Sequence, residues 1–430
     1  MLNVAIVDAV YPPEPVVSAQ MGRDLALHLA QDDATVTVLC PFPTRPLGVR
    51  FPEYTNRDCV RVEREAGVEI VRLPSFTAPE SRLISRMRES HSFGRSVCRY
   101  LEQNLPAVDV VYANVWPLLC QALIARFCTR RGIPLIFHVQ DIYPESLLGK
   151  LPGSLGRLAT WPLKVLDRWT VHQACRVVTI AESMRQTYVE DRGLAPEKVV
   201  TVTNWIDEGR FAYLPARGEA CARYGIAEDS FTFLYLGNIG SVAGVDGLIE
   251  AFHAARLTQA QLVIAGDGSA KVECVDRVRR LGAGNIRFIS DPDVGNVPLL
   301  QSLGHVCLLP LRRGAGMSSI PSKLMAYLLS AKPVLATVDA ASDTARCILE
   351  AECGWVGEPE NGKWLAAKMA EVASLPVAVL SAFGQQGRAY GVRHFSRSAG
   401  VQSLSLVIRD GAGRVRSMGA PLRSTHDQGY

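Results

Sequence analysis

Short runs rich in Val and Ile alternate with segments of helical period along nearly the whole chain, and the alternation happens twice. In the first half, extended segments are expected at 3–10, 35–40, 68–73, 108–113, 135–139, 177–181 and 199–203. Helical segments at 20–29, 85–103, 118–131, 154–172 and 183–192 separate them. A compositional break at 207–228 carries Pro215 and Gly218, and the pattern then restarts. Strands follow at 231–236, 261–265, 286–289, 306–310 and 334–337, with helices at 245–256, 270–281, 297–303, 322–329, 344–350 and 362–374. Strands that read as continuous apolar runs are buried on both faces, and each intervening segment is long enough to be a crossover helix. The expected class is therefore α/β, with two Rossmann-like doubly wound parallel-sheet domains facing a central cleft. The first domain is placed at 1–207 and the second at 208–376. Helices at 377–410 are expected to pack back on the first, and 411–430, rich in Gly, Arg and Ser, reads as a disordered tail.

At 430 residues the chain exceeds one small core, and 48% hydrophobic against 20% charged residues excludes a disordered chain. A net charge of +4 is too small for the concentrated basic field of a nucleic-acid-binding protein, so no nucleic-acid partner is expected. The 11 cysteines run from Cys40 to Cys353 without a C-x-x-C pair, which fits a reducing compartment. The opening MLNVAIVDAV has no basic region before its apolar run, and the stretch 110–125 is short and interrupted by Asn114, Pro117 and Gln121. A cytoplasmic protein without a spanning helix is expected.

In doubly wound sheets ligands sit beyond the carboxyl ends of the strands. Four such places carry chemistry. After the first strand comes a Pro-rich turn, Tyr11 to Ser18, with Glu14 inside it and a helix behind it whose free amides suit an anion. An ordinary strand-to-helix turn explains it equally well. After the fifth strand, His138, Asp141, Tyr143 and Glu145 crowd the end of a buried run, although a single His there is often only a satisfied structural group. The turn Gly237-Asn238-Ile239-Gly240 and the later Gly266-Asp267-Gly268 suit close approach to phosphate, but glycine also simply makes tight turns. Neither completes a G-x-G-x-x-G fingerprint, and no P-loop is present. Most specific is Arg312 to Lys323, which combines glycines, the hydroxyls of Ser318, Ser319 and Ser322, Pro321 and a lysine in the first turn of a helix. A cation there opposes the helix dipole unless an anion compensates it, so a bound phosphate is expected. No cluster has metal-ligand spacing, and no metal is expected.

Taken in order, Tyr11-Pro-Pro-Glu14, His138 to Glu145, Val202-Thr-Asn204-Trp-Ile-Asp207, Leu236 to Gly240, Ala265 to Gly268 and Pro321-Ser-Lys-x-x-x-Tyr327 before Lys332-Pro-Val334 resemble the family 4 retaining glycosyltransferases of the GT-B fold. The resemblance runs to about Arg397 and is strongest to the branch that builds bacterial exopolysaccharide, colanic acid and O-antigen units. It implies a nucleotide-sugar donor, with UDP as the carrier, and a lipid-linked sugar or oligosaccharide acceptor. It implies no cofactor beyond that co-substrate. By the same resemblance Lys323 neutralises the donor diphosphate, with Gly237, Asn238, Gly240, Ser318, Ser319 and Ser322 around it. Gly266, Asp267 and Gly268 border the nucleoside, His138 approaches the transferred sugar, and Glu14, Ser18 and Asp141 belong to the acceptor-side loops. The family's pair of Glu eight positions apart falls here on Ser318 and Ala326, its glycine pair on Val16-Val17, and the Arg beside the Gly-Asn-Ile-Gly turn is missing.

Two other classes remain open on sequence. A non-catalytic sugar-nucleotide-binding relative fits the missing Glu pair and would bind donor without transfer. A nicotinamide-dependent oxidoreductase shares the alternating pattern but needs the fingerprint that is broken here. Finally, Ser81–Arg99 and Leu155–His172 set arginines beside Ile, Met, Phe and Trp. They read equally as core-packed helices or as a peripheral contact with an anionic membrane at the cytoplasmic face.

Overall fold

A computed structural model describes the chain apart from residues 46–47, 55–58, 80–81, 105–107, 116–117, 145–153, 292, 318 and 419–430. The apolar runs of the first half form eight strands: β1 (Leu2–Asp8), β2 (Ala34–Pro41), β3 (Arg61–Glu65), β4 (Val68–Leu73), β5 (Val110–Asn114), β6 (Leu135–Val139), β7 (Arg176–Thr179) and β8 (Val199–Thr201). They make one sheet in the order β3-β4-β2-β1-β5-β6-β7-β8. All pairings are parallel except β3 with β4. Crossover helices are α1 (Val17–Gln31), α2 (Leu83–Asn104), α3 (Leu119–Arg131), α4 (Ser154–Gln173) and α5 (Glu182–Glu190).

The second half forms β9 (Phe231–Leu236), β10 (Ala260–Ala265), β11 (Ile286–Ile289), β12 (Val306–Pro310), β13 (Val334–Thr337) and β14 (Gly354–Gly357), all parallel, in the order β11-β10-β9-β12-β13-β14. Its helices are α6 (Arg217–Tyr224), α7 (Val245–Ala254), α8 (Lys271–Leu281), α9 (Val297–Ser302), α10 (Ser322–Leu329), α11 (Asp343–Glu350), α12 (Gly362–Ala373) and α13 (Val377–Phe395). Alternate residues of each strand feed two cores. Leu234, Val263, Cys307, Leu309 and Ala336 pack with α10 and α11 on one face, and Phe233, Tyr235, Ile264, Leu308 and Leu335 pack with α7 and α12 on the other. Continuous apolar runs are what a sheet covered on both faces requires.

Three elements escape the sequence pattern. The charged strand β3, RVERE, lies at the sheet edge and pairs with β4 through a two-residue turn, Ala66-Gly67, with φ of 44° and 86°. Both values are positive, as the common hairpin turn requires. Helix α6 sits in the break that carries Pro215 and Gly218. Strand β14 opens on Gly354, where a Cβ would fall 1.8 Å from the Val334 carbonyl oxygen.

The described residues divide into two compact units: Met1–Ile180 with Met184–Val202 and the chain from Val401 to Met418, and Ala181–Ser183 with Thr203–Gly400. The two helices after 376 thus separate. Helix α13 stays with the second unit, and the last helix, α14 (Arg397–Met418), returns to the first, where Arg176 pairs with Asp410 at 2.6 Å and Arg409 donates to the Asp32 carbonyl. Helix α14 also carries the chain beyond 410, where a tail was expected to begin, as far as Met418.

Candidate functional site

In the second unit the expected glycine turns lie at the carboxyl ends of β9 and β10. Gly237, Gly266 and Gly268 have φ of 140°, 143° and 152°. A Cβ on Gly266 would sit 2.1 Å from the Gly237 carbonyl oxygen, and one on Gly268 would sit 2.4 Å from that of Ile239. The glycines are therefore needed chiefly where one turn presses its backbone on the other. The amides of Gly237 and Ile239 donate to the carbonyls of Ala265 and Asp267, and that of Gly266 donates to Ile289. Among the described residues the amides of Asn238 and Gly240 have no protein acceptor. Asp267 itself is exposed and accepts from Lys271 at 3.1 Å.

Lys323 is the second residue of α10 and lies against Gly237, where its Cε would be 2.4 Å from a Cβ. Its Nζ donates to the Tyr235 hydroxyl at 2.5 Å and stands 4.4 Å from the centre of that ring, and the hydroxyl donates onward to the Asn238 carbonyl at 2.6 Å. No carboxylate pairs with Lys323 among the described residues, and burial lowers its pKa to about 8. One turn on, the Tyr327 hydroxyl accepts the Leu236 amide at 2.9 Å, so the two residues of one helix face hold the end of β9. Pro321 precedes α10 without a side-chain cap, leaving first-turn amides and the positive end of the helix beside Lys323. Ser319 and Ser322 are exposed nearby in sequence, and Ser318 lies outside the described residues.

The convergent positive charge expected of the whole 312–323 segment reduces to this lysine and the helix end. Arg312 bridges Asp246 (2.8 Å) and Glu360 (3.1 Å) and donates to the Ser241 carbonyl, while Arg313 faces Glu358 at 3.7 Å. A cavity of 580 Å³ beside Arg312, between α7 and α12, is not lined by Lys323 or the glycine turns.

In the first unit the strand register aligns polar side chains at the carboxyl end of the sheet. Asp8 of β1 pairs with Asn114 of β5, and Ala113 pairs with Phe137, which sets His138 beside Asn114. His138 is 1% exposed; its Nδ1 is 2.5 Å from the Tyr112 hydroxyl, and its Nε2 is 3.2 Å from the Gln140 side-chain nitrogen. Burial lowers its pKa to about 3, so the ring is neutral at physiological pH. Asp8 is buried, and desolvation raises its pKa well above the usual range, opposed in part by the Asn114 side chain.

The other expected residues are placed differently. Glu14 is buried and accepts the amides of Tyr11 (3.1 Å), Thr44 (2.9 Å) and Arg45 (2.8 Å), clamping the turn after β1 to that after β2. Arg72 holds the same turn through the Pro12 carbonyl at 2.6 Å. Ser18 is partly exposed in the first turn of α1, and Asp141 is exposed just past β6. Glu145 lies outside the described residues. Sequence reading missed Asp8, Tyr112, Asn114, Gln140 and Tyr235, and of these only Asp8 left a signal, as the carboxylate that closes a mostly apolar strand.

Two family models match in series: a glycosyl transferase 4-like domain over residues 19–205 and glycosyl transferases group 1 over residues 217–390. The chain belongs to the family 4 retaining glycosyltransferases of the GT-B fold. The second match takes in Lys323 and both glycine turns, and the first takes in His138 and Asp141 but begins after Glu14 and Ser18. Over 377 residues this glycosyltransferase is 25% identical to a putative colanic acid biosynthesis glycosyl transferase, WcaI, of Escherichia coli, covering 85% of this chain and 91% of that one. Its fold is like that of sucrose-phosphate synthase from Thermosynechococcus elongatus, with a TM-score of 0.69 at 15% identity over 95% of this chain and 99% of the other. It is also like Anabaena HepE in complex with UDP-glucose, with a TM-score of 0.64 at 14% identity over 95% and 100%.

Proposed function

We propose that this glycosyltransferase moves a sugar from a UDP-linked donor to a lipid-linked sugar or oligosaccharide in bacterial surface polysaccharide biosynthesis. The observation that carries the reading is Lys323: a partly buried cation at a helix N-terminus which, among the described residues, has no carboxylate partner and stands beside two backbone amides without protein acceptors. Such a group stabilises an arriving anion. It does so most when charge develops on the departing diphosphate, because the donors are already oriented. With the leaving group held, the acceptor hydroxyl bonds to the anomeric carbon on the face from which the carbon–phosphate oxygen bond breaks, its proton passes to the departing phosphate oxygen, and configuration is retained. His138 binds the transferred sugar as a neutral ring. The choice of UDP is supported by the UDP-glucose complex of HepE, and the acceptor class by the description of WcaI. Ala326 favours a second reading, sugar-nucleotide binding with little transfer, since a methyl group accepts no ribose hydroxyl.

Helix α4 supports a peripheral contact with anionic lipid. Trp161, Val165 and Trp169, four residues apart on one stripe, are 66%, 50% and 42% exposed, and Arg168 stands among them. Basic residues beside outward Trp suit an interfacial helix. Among the described residues no single helix is long and apolar enough to cross a membrane.

A thermal-shift and calorimetry panel of UDP, GDP, ADP and their sugars tests the donor. Selective stabilisation by uridine nucleotides, together with transfer to a polyprenyl-linked sugar, is expected. Stabilisation by another base alone removes the UDP assignment, and donor binding without transfer or hydrolysis favours the second reading.

A further inference from the structure

The proton shared by Tyr112 and His138 can be located by counting donors and acceptors. Both residues are buried, at 2% and 1% exposure, and the phenol oxygen and Nδ1 are 2.5 Å apart. Burial, aided by the nearby Asp8, raises the phenol pKa well above its usual value, so Tyr112 keeps its hydrogen. That hydrogen needs an acceptor, and among the described residues Nδ1 is the one at bonding distance of the hydroxyl. Were Nδ1 protonated, it would donate to the phenol oxygen and leave the phenol hydrogen buried with nothing to receive it, a condition native interiors nearly always avoid.

On the far side of the ring the side-chain nitrogen of Gln140 faces Nε2 at 3.2 Å. The two ends of an amide have the same shape, and half a turn brings its oxygen there to accept from an Nε2–H, the orientation that the Tyr112 hydrogen requires. Around the ring, burial raises the pKa of Asp8 from β1 well above the usual carboxylate range and that of the Tyr11 hydroxyl above its own, and desolvation is the cause of the lowered imidazole pKa.

We propose that Tyr112 is a positioning residue that fixes His138 as the neutral Nε2–H tautomer, so that the ring presents a hydrogen-bond donor, and no base, on the side occupied by Gln140. The inference rests on the reading that His138 binds the transferred sugar. Gln140 is then the internal partner that a sugar oxygen replaces, and the site selects donor sugars with an acceptor oxygen at that point. A sugar deoxygenated there loses turnover.

Long-range ¹H–¹⁵N correlation on the full chain, labelled with ¹⁵N-histidine, reads the tautomer directly. His138→Gln assigns the ring by loss of its signals. Expected at pH 7 are an unprotonated Nδ1 and a protonated Nε2, unchanged down to pH 5. A protonated Nδ1, or titration of this ring between pH 5 and 7, overturns the proposal. Tyr112→Phe removes the donor and is expected to give a mixture of tautomers. It is also expected to lower kcat by about tenfold, as loss of one hydrogen bond does, with UDP affinity within about twofold. An unchanged tautomer in that variant also overturns the proposal. If the tautomers mix while kcat stays at the wild-type value, the assignment of His138 to the sugar fails and the role of Tyr112 on the ring stands. Should Tyr112→Phe not fold, the wild-type spectrum decides by itself.

Discussion

Replacing Lys323 by Met keeps the four-atom stem against Gly237 and removes only the charge, and two effects of opposite sign are expected. The lysine pKa falls from 10.5 in the unfolded chain to about 8 in the fold. Below the folded value both states are protonated, so at pH 7 the fold carries the full cost of burying the cation. That cost is relieved as pH rises from about 8 to above 10. Converted at about 1.4 kcal/mol per unit, the cost is roughly 3 kcal/mol at most, offset in part by the Tyr235 hydroxyl and ring. Lys323→Met should therefore stabilise the unliganded protein by about 1–3 kcal/mol while weakening UDP binding by about 1.5–3 kcal/mol, the range for a hydrogen bond to a charged group. That second effect is about 10- to 150-fold in Kd. In the wild type, affinity should be nearly flat from pH 6.5 to 7.5. It should then fall by about tenfold per unit above pH 8, because the diphosphate must re-protonate the lysine. Calorimetry in two buffers of different ionisation enthalpy measures the affinity and the proton uptake together. An affinity independent of pH through 9.5, or unchanged in Lys323→Met, would refute the reasoning.

Four further outcomes are expected. Gly266→Ala should lose about 2–4 kcal/mol in urea unfolding, because its Cβ meets the Gly237 carbonyl at a φ foreign to alanine; a loss under 0.5 kcal/mol would mean the two turns part freely. Glu14→Gln keeps shape but weakens acceptance from the Tyr11, Thr44 and Arg45 amides, and about 1–2 kcal/mol of stability should go with Kd for UDP unchanged; a Kd change without a stability change would return Glu14 to a ligand-facing role. Transfer should persist in excess chelator, since Lys323 and the α10 N-terminus stand where a cation would act; full loss restored by magnesium or manganese would contradict that. Co-sedimentation with phosphatidylglycerol vesicles should weaken with salt and fall at least fivefold in Trp161→Ala/Trp169→Ala; equal binding by the double variant would remove α4 from the contact.

Much of this fold is visible in the sequence because each parallel strand, covered on both faces, is a short apolar run. β3 hides because an edge strand carries charge, and β14 because a glycine is needed where two backbones touch. The site is legible only where chemistry is local. The Pro321-Ser322-Lys323 turn announces a cation at a helix start, but its partner Tyr235 is 88 residues away and nothing nearby in sequence marks it. The glycines read as positions where phosphate comes close, and what comes close in the fold is chiefly the neighbouring turn. Arg312 and Arg313 open the segment that reads as an anion site, but Asp246, Glu360 and Glu358 meet them. A partner distant in sequence decides each of these cases.

The most direct measurement of the central claim is a crystal structure of the protein with UDP. The expected result places the β-phosphate within hydrogen-bond distance of Lys323 Nζ and of the Asn238 and Gly240 amides, with Nζ drawn from the Tyr235 hydroxyl toward the phosphate oxygens. A diphosphate bound elsewhere, with Lys323 still on Tyr235, would contradict the account.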